Sequence, residues 1–183
     1  ALANLAVLSA IITGNRLAGF LLAAMLGTAQ TPWLLAAIPE VYTWVVAGLS
    51  AELLLLWKLL DQPNRNTALA LAFLSGLGFS LHNLALLALP VYVLIVLVLI
   101  YRRDLSPLVL LFAAGSWLLG AGLYLWLIGE RLSESGSVII AISDALFGPW
   151  KDDVLSGSLN WKYLKWNLPF LALNFVSVLG PLV

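Results

Sequence analysis

Along this chain, long uninterrupted apolar runs alternate with short polar connections. The alternation has the scale of a bilayer, because a spanning helix needs about 20 mostly apolar residues, with a range of about 17–25. Runs of that kind occupy 17–35, 41–60, 67–82, 84–101 and 107–128, with an incomplete run at 1–13 and a last one at 164–183. The pattern predicts an all-α, polytopic transmembrane helical bundle of about seven spans, the first and last incomplete. It forms a single domain over 1–183. Helices are expected throughout because the runs are continuous and rich in Leu and Ala, whereas strands of a membrane barrel alternate apolar and polar residues. No repeat of fixed period and no low-complexity tract is visible. The first run has no basic leader and no small-residue cleavage pattern, so it does not read as a signal peptide. The sequence starts at Ala1 and both ends lie inside apolar runs, which reads as a segment of a longer protein.

The polar connections differ in kind. Arg16, then Lys58 and Arg65, then Arg102 and Arg103 mark three short connections, each separated from the next by two spans. The positive-inside rule places these on the cytoplasmic side. The turn from Thr31 to Glu40, the His82-Asn83 turn and the connection over 129–163 are then non-cytoplasmic. Most of the acid and the histidine fall on that face: Glu40, His82, Glu130, Glu134, Asp144, Asp152 and Asp153. The runs at 67–82 and 84–101 are short and meet at His82-Asn83 with almost no loop, which predicts helices that stop below the membrane surface. Within 129–163, Ser133 to Gly136 reads as a flexible turn, and Val138 to Phe147 as a short interfacial helix ended by Gly148-Pro149. Trp150, Trp161, Tyr163 and Trp166 fit the aromatic belt of a span re-entering the headgroup region, or a platform on which a sugar stacks.

Composition narrows the chemistry. The 183 residues are 62% hydrophobic and only 10% charged, against roughly a quarter charged in ordinary soluble domains. Nine Lys and Arg balance nine Asp and Glu, so no net field attracts nucleic acid. With no Cys and one His, disulfides, cysteine nucleophiles and multi-histidine metal sites are excluded. What remains is carboxylates, hydroxyls, one imidazole and a bound lipid or substrate.

Ionisable groups in a membrane domain are expensive, so each needs a reason. Glu40 follows Pro39 and opens the next span, where it either caps free N–H groups at the helix start or acts as a general base, metal ligand or hydroxyl-binding group. His82 follows the small-residue run Ser75-Gly76-Leu77-Gly78-Phe79-Ser80, which permits close helix approach. Its imidazole suits the phosphate of a lipid carrier, or simply a local hydrogen bond at a helix end. Glu52 lies on the same span as Glu40, about 18 Å deeper. It reads as a proton-relay carboxyl, or as a protonated one hydrogen-bonded to a neighbouring helix. Asp152-Asp153 is either a weak divalent-cation site or a solvated pair.

Two motifs carry a family likeness. Thr31-Pro32-Trp33 through Pro39-Glu40-Val41-Tyr42, followed by Gly76-Leu77-Gly78-Phe79-Ser80-Leu81-His82-Asn83 and Pro90, resembles the polytopic C-type (GT-C) glycosyltransferases. The likeness is to bacterial relatives of the endoplasmic-reticulum protein O-mannosyltransferases, and it covers roughly 15–101. It implies a polyprenyl-phosphate-sugar donor at the non-cytoplasmic surface of the bacterial inner membrane, and transfer of the sugar to an acceptor hydroxyl. On that resemblance Glu40 and Tyr42 line the catalytic cavity, while His82, Asn83 and Trp33 bind substrate, with His82 near the donor phosphate. Asn83 stands where the family has a second His, and Pro39 where it has Ala. The acidic first outer loop that supplies the base in the family would precede residue 1, so the expected chain is either a partial copy or a degenerate one.

The expected function is a membrane glycosyltransferase module. The rival is a non-catalytic integral-membrane subunit packed against other membrane chains in a larger complex. A transporter is weaker, since its charges would be paired near the midplane. The partners expected are the bilayer, the lipid-linked donor and other membrane subunits, with no nucleic acid.

Overall fold

The computed structural model describes residues 1–28, 42–148 and Lys165. All regular structure among them is helical: α1 Leu2–Thr13, α2 Arg16–Thr28, α3 Tyr42–Asp61, α4 Arg65–Leu81, α5 Leu89–Tyr101, α6 Leu108–Ser135 and α7 Val138–Phe147, with a 3-10 turn at Asn83–Ala88 before α5. Two helices, Thr43–Asp61 and Leu108–Ser135, are long and apolar enough to cross a membrane. Leu2–Thr13, Arg16–Thr28 and Ala85–Tyr101 are apolar but shorter. The expected span at 67–82 is the 17-residue helix Arg65–Leu81, and the one at 164–183 and the second half of the span at 17–35 lie outside the described residues.

Two boundaries differ from the sequence pattern. The expected span at 107–128 continues as helix to Ser135. Apolarity ends near residue 128, but Glu130, Arg131 and Glu134 are good helix formers and Arg131 pairs with Glu134 one turn on. The helix stops only at Gly136, whose φ of 64° is the left-handed conformation that glycine adopts without steric cost. The expected helix over 84–101 is divided. Pro90 sits in the first turn of α5, where its missing N–H is not needed, and the six residues Asn83–Ala88 form the 3-10 turn.

The helices assemble by neighbour contacts: α1 on α2 and α3, α3 on α4, α4 on α6, and α6 on α7. Asn4 Nδ2 donates to Ser50 Oγ at 3.2 Å, tying α1 to α3. The apolar core lies where α3, α4, α5 and the start of α6 meet, around Leu59, Leu71, Tyr92, Val96, Leu99 and Val109. Asn64 caps α4 by accepting from the Thr67 N–H at 2.9 Å. Outward faces of α5 and α6 carry Leu94, Leu97, Leu111, Leu119, Leu123 and Trp126, all exposed. A soluble monomer rarely shows so continuous an apolar surface.

The α4 and α6 backbones approach each other closely at two glycines. A Cβ on Gly76 would collide with the Trp117 carbonyl oxygen, and a Cβ on Gly120 with the Phe73 carbonyl oxygen, so each helix backbone is pressed against the other's glycine. Hydroxyls reinforce the seam on both sides. Ser116 Oγ donates to the Leu69 carbonyl at 2.9 Å, and Ser80 Oγ to the Gly120 carbonyl at 3.1 Å. The pairs Leu69–Ser116 and Phe79–Tyr124 show that α4 and α6 run parallel. By contrast α3 and α4 run antiparallel, joined by the short connection at 62–64.

Gly76→Ala and Gly120→Ala should each lower stability by about 1–3 kcal/mol by forcing the backbones apart. Gly115→Ala and Gly122→Ala, in the same helix with nothing within 4 Å of the added carbon, should leave the melting temperature in detergent unchanged or raise it.

Candidate functional site

His82 ends α4. Its backbone is extended, and its N–H donates to the Gly78 carbonyl at 2.9 Å. Its own carbonyl accepts the Ala85 N–H at 3.0 Å. The turn is therefore held from both sides before any side chain acts. The imidazole is partly buried and faces a cavity of about 200 Å³ lined by Phe79, Ser80, Leu81, His82, Asn83 and Tyr124. The glycine seam of α4 and α6 sets this wall. Phe79 stacks on Trp117 with centroids 5.5 Å apart and meets Tyr124 edge-on at 4.9 Å, an arrangement aromatic quadrupoles favour.

Asn83, next to His82, turns to the outer helix. Its Nδ2 donates to the Ala145 carbonyl at 3.0 Å and to the Leu146 carbonyl at 2.8 Å. The Tyr124 hydroxyl also donates to the Ala145 carbonyl. These carbonyls belong to the last turn of α7, which has no intrahelical donors for them. The Asn83 amide is thus engaged as a donor, which leaves Oδ1 as its hydrogen-bond acceptor. Further along, Arg131 bridges α6 to α7 through Asp144 at 2.9 Å and also reaches Glu134 at 3.0 Å. A second cavity of about 230 Å³ lies between these helices, and Tyr124 lines both cavities.

Topology brings several of the expected residues to one end of the bundle. Because α3 and α4 are antiparallel and α4 and α6 parallel, the start of α3, the end of α4, the C-terminal half of α6 and α7 share that end. Tyr42 opens α3 there, although its side chain is not among those described. Glu40 and Trp33 lie outside the described residues, as do Asp152, Asp153, Trp150, Trp161, Tyr163 and Trp166. At the opposite end stand Lys58, Arg65, Arg102 and Arg103, with Arg65 over the Phe112 ring at 3.9 Å. Asp61 and Asp104 also sit at that end, while Glu130, Glu134 and Asp144 stand toward the His82 end. Among the described residues no group of three His, Asp or Glu converges on a metal position.

Tyr124, Arg131 and the α7 carbonyls are site features that the sequence pattern did not single out. Asn83 and Ala145 are 62 residues apart, and no local pattern links them.

The fold and this end of the bundle define an apolar helical protein with a small polar cavity at a helix turn. The chain belongs to the family described as the Protein O-mannosyl-transferase TMEM260 N-terminal domain, whose model matches residues 5–105. The match spans α1 through α5 and includes both sequence motifs, while α6 and α7 lie beyond it. The family name is that of a glycosyltransferase, in keeping with the resemblance carried by the motifs. No curated protein and no solved structure matches the chain.

Asn83→Ala should loosen the end of α7, at a cost of about 1–3 kcal/mol for the Leu146 carbonyl left without its donor, while the Ala145 carbonyl keeps the Tyr124 hydroxyl. Amide hydrogen exchange over 138–147 should quicken while α4 and α6 remain protected. Asn83→Asp, which presents oxygens to the same carbonyls, should be at least as disruptive.

Proposed function

We propose that this chain is the membrane module of a GT-C-type glycosyltransferase. It moves a mannosyl group from a polyprenyl-phosphate donor to an acceptor hydroxyl on the non-cytoplasmic side. The observation that carries the reading is the family match, which covers the Glu40-Val41-Tyr42 and His82-Asn83 motifs together. It is supported by a topology that turns Tyr42 and His82 to the same end of the bundle.

In this reaction the acceptor oxygen attacks the anomeric carbon as the bond from that carbon to the phosphate oxygen breaks. The leaving polyprenyl phosphate keeps the bonding electrons, and the acceptor's proton goes to a general base. His82 donates a hydrogen bond to the donor phosphate, or adds positive charge when protonated. Glu40 and Tyr42 line the cavity where the sugar and the acceptor meet. The base is Glu40 or an acid contributed from outside the given residues. If a divalent cation is needed, Asp152 and Asp153 are the residues suited to it.

A rival reading rests on a different observation. A cleft of about 410 Å³ between α4, α5 and α6 is floored by Ala68, Ala72, Ala113 and Ala114. Ser75 Oγ and Trp117 Nε1 are buried at its wall without a hydrogen-bond partner among the described residues. Small residues with polar groups between them are what membrane helices pack on, as a subunit of a larger assembly would require.

The deciding assay is transfer from polyprenyl-phosphate mannose by the chain in lipid nanodiscs. Glu40→Gln should cut turnover by about 10²–10⁴-fold with the protein still folded. His82→Ala should mainly raise the donor KM. Absence of transfer by the wild-type full-length protein would favour the subunit reading.

A further inference from the structure

Glu52 is 2% exposed, deep in α3, and plays no part in the reaction above. A carboxyl group removed from water needs hydrogen-bond partners. Its Oε2 accepts from the Tyr92 hydroxyl of α5 at 2.7 Å, a buried contact between residues 40 apart in sequence. Its Oε1 lies against Gly78 of α4, 3.2 Å from where a Cβ would stand. The Cβ of Ala85 is 3.3 Å from that same point. Gly78 and Ala85 are the two residues whose backbones hold His82: the Gly78 carbonyl takes the His82 N–H, and the Ala85 N–H donates to the His82 carbonyl. The carboxyl group therefore sits directly beneath the turn that presents the imidazole, about 6 Å along the helix from it at 1.5 Å per residue. Tyr92 carries the contact into α5, which follows the turn.

We propose that Glu52 is a positioning residue for His82, a wedge hydrogen-bonded to Tyr92 that fixes the Gly78–Ala85 support of the His82 turn. In its functional consequence the proposal rests on the reading of His82 as the donor-phosphate ligand. The wedge is steric and hydrogen-bonding in character. It needs an oxygen acceptor of carboxamide or carboxyl shape between α4 and α5 and needs no charge. A Cβ on Gly78 would crowd the carboxyl oxygen at 3.2 Å, so that a side chain there would push the carboxyl group aside by a few tenths of an ångström. The sequence run containing Gly78 therefore serves two contacts, since its Gly76 meets α6 while its Gly78 meets Glu52.

The test uses the 183-residue chain in nanodiscs, which has one histidine, so its imidazole NMR resonance is unambiguous. Glu52→Leu removes the acceptor, Tyr92→Phe removes only the donor hydroxyl and leaves Glu52 in place, and Glu52→Gln keeps shape and acceptor. Glu52→Leu and Tyr92→Phe are expected to move the His82 resonance. They should also raise the KM for polyprenyl-phosphate mannose by about 10- to 100-fold, with kcat per folded molecule much less affected. Glu52→Gln should restore both to near wild type. An unmoved His82 resonance in Tyr92→Phe and Glu52→Leu overturns the proposal. So does Glu52→Gln behaving like Glu52→Leu, since a charge or proton-carrying role would then be at work. A fall in kcat at unchanged KM also overturns it, because that marks general loss of structure. If the wild type transfers no sugar, the functional reading fails, and the resonance shifts still decide the role of Glu52. If Glu52→Leu does not fold, Tyr92→Phe and Glu52→Gln decide that role between them.

Discussion

The close approach of the α4 and α6 backbones, Gly76 against the Trp117 carbonyl and Gly120 against the Phe73 carbonyl, is the constraint on which the described structure turns. Where helices pack in an apolar surrounding, burial of apolar side chains gives little net driving force, and association depends on close van der Waals contact and interhelical hydrogen bonds. The two glycines let the α4 and α6 backbones touch. That closeness is what brings Ser80 and Ser116 within reach of carbonyls on the opposite helix. It also sets the angular position of Phe79 between Trp117 and Tyr124. Since Phe79 is one turn before His82 and Tyr124 lines the same cavity, the spacing of two backbones determines the width of a polar pocket at the helix end.

From that seam the structure builds outward by satisfying backbone groups. The last carbonyls of α7 cannot be left bare, and their donors among the described residues are Asn83, in the turn that follows α4, and Tyr124 of α6. The ion pair of Arg131 with Asp144 anchors the same helix further along α6. Exposed as it is, such a pair contributes little energy, but it constrains which face of α7 turns inward. A short helix with an apolar stretch is in this way tied to the turn carrying the imidazole through the residue next to it in sequence.

Much of this was legible where the signal is local. The turn at His82-Asn83, the end of α3 at Asp61 and the short helix after Ser137 each coincide with a break in apolarity or a glycine. The end of α6 was not legible, because helix and apolar run are different things: Glu130, Arg131 and Glu134 prolong the first after the second has stopped. The small residues between Ser75 and Ser80 announced a close approach but not its partner, which lies about forty residues away in α6. Glu52 was recognisable as a buried acid in need of a hydrogen bond, and Tyr92 was not recognisable as its donor. A tyrosine in an apolar run reads equally as core. Contacts between residues 40 or 62 apart leave no mark in periodicity or spacing.

Asn83 shows how a family motif is altered by its surroundings. The position reads, by resemblance, as the second member of a histidine pair facing the donor. An imidazole and a carboxamide differ in what they have left to offer once α7 is in place. Asn83 commits both amide hydrogens to carbonyl oxygens, so what it turns toward a ligand is an acceptor. An acceptor repels a phosphate and suits a hydroxyl. Under the proposed reading the two neighbours then divide the donor between them, His82 at the phosphate and Asn83 Oδ1 at a sugar hydroxyl. The division holds only while α7 remains seated, since release of α7 would return the amide hydrogens to the cavity and make Asn83 a second phosphate donor. On that reading the position of α7 would set what Asn83 offers a ligand, although its residues at 138–147 fall outside the stretch that matches the family.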